Sequence, residues 1–216
     1  LQKSELNLYK GDYSEHISAI FTGMMRIFMF TAAAVVMLNV SAQKLVYDVE
    51  LFGKKIGQTI VERIEKADGE IQYKLSNLSD VTIFFTRKTS EMKFDITYKN
   101  GQLFSSYAKN VKDGVTEIVT MLWQGSQYFI HKGDEILKLN NPITYSGVML
   151  YFNEPVGITK VFSERIGEYT VFTKTANGEY QCKTPNGVTN IYRYQKGKLM
   201  ELEMNKGASV IMRLVQ

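Results

Sequence analysis

The chain has 216 residues and a scattered cationic excess, 26 Lys and Arg against 22 Asp and Glu, for a net charge of +4. With no Lys/Arg run, that excess argues against a nucleic-acid stripe. The single cysteine, Cys182, excludes an intramolecular disulfide and leaves a cysteine-based zinc site one ligand of its type, and of the two histidines only His131 follows residue 42.

Residues 1–23 lack the alternation seen later and precede a pair of methionines. They read as an upstream extension of the reading frame, with initiation at Met24 or Met25, and are expected to add nothing to the fold. Residues 24–42 read as a signal peptide. Arg26 supplies the positive start, residues 27–38 the apolar block, and Val40, Ser41 and Ala42 the small side chains before a cut, so the mature chain is expected to begin at Gln43. No cysteine lies near this cut, which closes the acyl-anchor route. An uncleaved anchor is the alternative, but Thr31, Asn39, Ser41 and Gln43 interrupt the roughly 20 apolar residues a spanning helix needs. No later segment approaches that length, so no transmembrane segment is expected in the mature chain.

Residues 43–216 are one domain's worth of chain, enough to bury roughly 70% of the unfolded surface. Their dominant period is two. Leu45, Tyr47, Val49 and Leu51 alternate with Val46, Asp48, Glu50 and Phe52. GKKIG follows and reads as a hairpin turn without phosphate-loop spacing. Met92, Phe94, Ile96 and Tyr98 then alternate with Lys93, Asp95, Thr97 and Lys99, and Asn100-Gly101 supplies a type I′ turn. Similar punctuation at Asp68-Gly69, Asp113-Gly114, Asn177-Gly178, Asn186-Gly187 and Lys196-Gly197 separates further strands. These are expected at residues 115–123, 127–131, 159–164, 168–175, 179–184, 188–195, 199–205 and 209–215.

Successive hairpins predict an all-β antiparallel meander, and about a dozen strands cannot stay one flat sheet, so it should be closed or partly closed into a barrel or roll. Several strands are apolar on both faces, among them one through Ile118, Val119, Met121, Leu122 and Trp123 and another through Val210, Ile211, Met212, Leu214 and Val215. That pattern calls for either a covering element or a lined cavity. One stretch breaks the meander. After Asn140-Asn141-Pro142, apolar Val148, Leu150, Tyr151 and Phe152 predict a short helix near residues 145–152, ended by Pro155 and Gly157, as a lid or plug for one end.

Four blocks, YDVELFGKKIGQTIVER, ITYSGVMLYFNEP, VFSERIGEY and TPNGVTNIYRYQKGKL, resemble an uncharacterised family of exported all-β, barrel-like domains from Gram-negative bacteria. The resemblance covers residues 44–215. It implies export and a barrel-like fold, and it carries no catalytic or ligand residues.

Chemistry has few candidates. Glu154 and Glu164 flank the break and would make a general acid/base pair if they faced one cleft, as in glycoside hydrolysis; otherwise Glu154 ends the short helix and Glu164 caps a hairpin or pairs with Arg165. His131 would need an orienting partner, with Asp134 and Ser126 nearby in sequence, but no nucleophile-elbow pattern is present. Cys182 shares a strand face with Tyr180 and Thr184 and reads as a buried inert thiol. The many Tyr and Phe residues serve either as plain core or as the lining of an apolar cavity. Ligand contacts are expected on the irregular segment, at Tyr145, Tyr151, Phe152, Glu154, Phe162 and Glu164. The expected function is therefore an exported periplasmic or secreted protein that binds a lipid-like or glycan ligand or an envelope protein without catalysis. The alternative is a hydrolase of an envelope polymer using the carboxylate pair. No cofactor, metal or nucleic acid is expected.

Overall fold

Fourteen strands form a single sheet in a computed structural model that describes residues 41–215. The first meander runs β1 (Ser41–Leu51), β2 (Lys54–Glu65), β3 (Ile71–Ile83), β4 (Thr86–Lys99), β5 (Gln102–Lys112), β6 (Val115–Trp123), β7 (Tyr128–Lys132) and β8 (Glu135–Leu139). The second runs β9 (Lys160–Ser163), β10 (Glu168–Lys174), β11 (Tyr180–Lys183), β12 (Thr189–Gln195), β13 (Lys198–Lys206) and β14 (Ala208–Leu214). The expected extension and most of the expected signal peptide lie outside the described residues. Ser41 and Ala42 open β1, paired with Glu65 and Ile64.

All the ladders are antiparallel, and the order β8-β7-β6-β5-β4-β3-β2-β1-β14-β13-β12-β11-β10-β9 has one non-consecutive junction, β1 beside β14. The two meanders are thus sewn together through the first and last strands, with Tyr47 opposite Leu214 and Leu51 opposite Val210. The edges are β8 and β9, short strands of five and four residues, and of these β8 is the exposed one.

The sheet curls without closing its own ladder. The β9–β10 turn comes round to β6 and β7, where a Cβ on Gly167 would lie 3.0 Å from Ile130 Cγ2 and 3.6 Å from Val119 Cγ1. Residues 140–159, the only long connection among the described residues, fill the seam. Leu103 N–H donates to Ile143 O (2.8 Å), and Phe162 N–H donates to Tyr145 O (3.3 Å) beside a parallel bridge between Ser146 and Phe162. Tyr128 Oη fixes the start of this segment, accepting from Ile143 N–H (3.1 Å) while donating to Leu103 O (2.8 Å). The partly closed roll expected from the sequence is what forms.

The predicted helical break is a 3-10 turn at Gly147–Tyr151, packed on β9 and β13. It lies across one end of the roll, together with the turns at Asn100-Gly101 and Lys196-Gly197, both of type I′ sign (φ 51° and 73°; 51° and 77°). Against it the inward faces bury Tyr47, Tyr73, Tyr98, Leu103, Tyr128 and Leu199 around Ile143, Val148 and Leu150. Tyrosine hydroxyls tie it to the strands: Tyr194 Oη donates to Leu150 O of the turn (2.8 Å), and Tyr47 Oη lies between Leu199 O of β13 (3.1 Å) and Tyr151 O of the turn (3.5 Å).

Two local expectations change. GKKIG is a turn only at its first glycine, because Phe52-Gly53 makes the bend and Lys54 already starts β2. β6 does not bury both faces either: Val119 and Met121 are buried, whereas Ile118 and Leu122 are exposed on the outer side. The apolar outer residues reflect strand propensity, not a covering element.

Candidate functional site

Along each long strand the inward face changes character with distance from the plug. On β3 it passes from buried Tyr73, Leu75 and Asn77 to half-buried Ser79, Val81 and Ile83. On β4 it passes from buried Tyr98 and Ile96 to half-buried Phe94 and Met92. The 3-10 turn fills only one end of a roll many strands wide, so the other half stays hollow. The hollow is a cavity of about 660 Å³, with its floor at Val148, Leu150, Tyr151 and Phe162. Leu75, Val81, Ile83, Met92 and Phe94 form one wall, and Leu202, Met204, Val210 and Met212 form the other. Its mouth is rimmed by Lys88, Lys112, Asp113, Asn186 and Lys206. The volume suits a small-molecule site, which is ordinarily apolar with a few placed polar groups.

Polar groups along the walls are already engaged. Asn77 Nδ2 donates to Thr59 Oγ1 (2.8 Å) and Gln58 O (3.3 Å), and Asn190 Nδ2 donates to Cys182 Sγ (3.8 Å). Cys182 is buried, and burial pushes its thiol up, which disfavours the thiolate.

Among the described residues Glu164 is the one buried carboxylate, 2% exposed. Its Oε1 accepts from Ser146 Oγ–H (2.6 Å) and Val148 N–H (3.1 Å), and Tyr98 Oη donates to Ser146 Oγ (2.7 Å). Gly147 leaves room for it, since a Cβ there would lie 2.8 Å from Glu164 Oε2. Ser146 makes no side-chain cap, so a carboxylate from the β9–β10 turn satisfies the amides at the start of the 3-10 turn. Burial raises the Glu164 pKa above the ordinary carboxylate value, and the hydrogen bonds from Ser146 and from backbone amides, including those of Val148 and Gly147, pull partly back.

The six residues expected to meet a ligand divide into two sets. Tyr151, Phe162 and Glu164 border the cavity. Tyr145, Phe152 and Glu154 do not. Tyr145 Oη donates to Asn153 O (2.9 Å), and Phe152 packs on Tyr73 with ring centroids 5.7 Å apart. Glu154 accepts from Tyr180 Oη (2.9 Å) and faces Lys174 Nζ at 3.8 Å. The two carboxylates therefore look to different partners. His131 stands exposed on β7, with Ser126 in the turn at the far end of that strand. Sequence reasoning missed the walls, whose signal was the continuation of each alternation into Met, Val and Ile beyond the aromatic half.

Among the described residues no helix is long and apolar enough to cross a membrane. A family model described as a domain of unknown function, DUF6134, matches residues 47–215. The fold is similar to the crystal structure of a beta-barrel-like protein, a DUF1849 domain of unknown function from Brucella abortus, at a TM-score of 0.55 and 12% identity. That likeness covers 83% of this chain and 98% of the other, and at such identity it concerns the fold alone. The resemblance read from the four sequence blocks, to an uncharacterised all-β family, agrees with both findings. A search of curated proteins finds no match.

Proposed function

The chain belongs to the DUF6134 family, a domain of unknown function whose model spans residues 47–215, and on that premise we propose that it is an exported envelope protein whose roll binds a lipid-like ligand without catalysis. The observation that carries this reading is the cavity of about 660 Å³ between apolar walls, open at one end and floored at the other. An acyl chain needs apolar surface and no directed hydrogen bonds, which matches walls whose amides already have partners. At the mouth, Lys112 and Lys206 suit an anionic headgroup. A glycan would need several free polar groups converging in the cavity. No observation favours the hydrolase reading, because Glu154 and Glu164 do not face one cleft.

A fluorescent long-chain fatty acid is the probe for this reading. The full chain is expected to bind it saturably, with unlabelled fatty acid competing. Met204→Trp, placing bulk in the cavity from a half-buried position on β13, is expected to weaken binding at least tenfold while leaving the unfolding midpoint nearly unchanged. Binding of oligosaccharide but no amphiphile would overturn the lipid reading. Export has its own measurement: N-terminal sequencing of the protein recovered from cells is expected to begin at Gln43. A product keeping residues 24–42 in the inner membrane would make it an anchored protein instead.

A further inference from the structure

The β3–β4 hairpin outruns the sheet it belongs to. The β2–β3 ladder ends where Gly57 meets Ser79, and the β4–β5 ladder begins where Ser90 meets Lys112. Residues 80–88 therefore form a two-stranded arm, pairing Val81 with Lys88, Thr82 with Arg87 and Ile83 with Thr86. Its tip is Phe84-Phe85, with φ of 46° and 66°. Both central residues of such a turn are left-handed, a place for Asn-Gly and an outlier for bulky side chains. Yet the two rings are 93% and 103% exposed. Phe52, at the β1–β2 turn, repeats the pattern with φ 50° and 73% exposure. The remaining left-handed residues other than glycine, among those described, are Asn100, Asp113 and Lys196, all polar.

Strand directions put the Phe52 turn and the Phe84-Phe85 turn at the mouth end of the roll. Val81, Ile83 and Lys88 of the arm line the cavity itself. Neither turn geometry nor packing calls for phenylalanine at these tips, so something outside the chain must receive the rings. We infer that the tip of the β3–β4 arm, with Phe52 beside it, inserts into the interfacial layer of a bilayer containing anionic lipid and seats the cavity mouth on the membrane. Three rings on two separate turns suit a fluid interface, whereas a protein partner needs one complementary surface.

Charge at the same rim agrees with a lipid partner. Arg87, Lys88 and Lys55 are paired with Asp80, Asp113 and Asp48, while Lys54, Lys112 and Lys206 have no carboxylate partner among the described residues. Lysines just behind inserted rings meet anionic headgroups. The inference rests on the cavity being a lipid-like ligand's site, since a mouth held against a bilayer passes an amphiphile without exposing its tail to water.

Phe85→Trp in the full chain puts an indole at the tip, with the parent, whose only tryptophan is Trp123 on β6, as background. With vesicles of phosphatidylethanolamine and phosphatidylglycerol, its emission should shift to the blue and be quenched by brominated acyl chains. Pure phosphatidylcholine should give much less, and added salt should weaken the response. Adding Phe84→Asn, which suits the turn, should cut the quenching several-fold with an unchanged or higher unfolding midpoint. A tip indole that stays in water with anionic vesicles overturns the inference, as does quenching indifferent to Phe84→Asn. Burial of the indole on concentrating the protein without vesicles would assign the tip to a second copy and overturns it equally. Fatty-acid binding measured without vesicles separates the two readings: probe bound there, with a tip that stays in water when anionic vesicles are added, sinks this inference alone, and probe unbound sinks the cavity reading.

Discussion

Replacing Glu164 by alanine is expected to cost about 3 kcal/mol of stability, the sum expected when several buried donors lose a charged or strongly polar acceptor. The Ser146 hydroxyl would lose its acceptor and the Val148 and Gly147 amides their carboxylate partner, at a position only 2% exposed. Glu164→Gln keeps one acceptor oxygen and should cost far less. The two variants also differ in pH dependence. Burial raises the folded pKa of Glu164 above its unfolded value, near 4.5, so the folded state holds its proton more tightly. The linked stability is then complete below that unfolded value and drains away as pH climbs through the raised one. Urea unfolding of the parent and of Glu164→Gln across the mildly acidic range tests this. The parent should lose stability relative to the glutamine variant as pH rises. Parallel profiles would mean that Glu164 is no more protonated folded than unfolded, and a cost below about 1 kcal/mol for alanine would remove its capping role.

Gly57→Ala is expected to be as damaging, by steric means. A Cβ there would lie 2.1 Å from Leu78 O and 2.7 Å from Ser79 Cα, both backbone atoms that no rotamer change can move. Gly57 stands just past the register shift between Val49 and Glu50, at the last pair of the β2–β3 ladder. Relief requires β2 to move off β3 where both border the cavity wall. About 3 kcal/mol or more should be lost, which for a domain of this size lowers the unfolding midpoint by roughly 10 °C. A midpoint within a degree or two of the parent would show that the strands part there at little cost.

Much of the strand order was legible because it was written locally. β1 and β4 announce themselves through four alternating apolar residues each, and Asn100-Gly101 and Asp113-Gly114 bend where their chemistry permits left-handed backbone. Phe84-Phe85 bends with no such chemistry, so the β3–β4 turn had no sequence signal to read. The seam between β1 and β14 was equally silent, since pairing across the whole chain leaves no mark within either strand. At the site, the plug is visible as a break in period, but the sequence reads Glu164 as catalytic, as a ligand contact, as the cap of a hairpin or as a partner of Arg165, not as the cap of the plug. Its work as a cap depends on Ser146 and Val148, 18 and 16 residues away in the chain. Such a partner becomes apparent only after the roll has brought β9 beside the plug.

The junction of β1 with β14 also fixes the order in which this chain can fold. Each meander can form locally from hairpins, but their ladders cannot become one sheet until residues 208–214 arrive, because β14 alone bridges β13 and β1. Closing that contact means bringing Tyr47 to Leu214 across nearly the entire domain, a long loop whose entropy is lost before the seam repays it. While the chain is being made, β1 therefore waits with one edge unpaired until β14 follows and acts as the fastener. Loss of β14 alone would leave two sheets with no common strand, so residues 208–214 govern whether one continuous sheet exists.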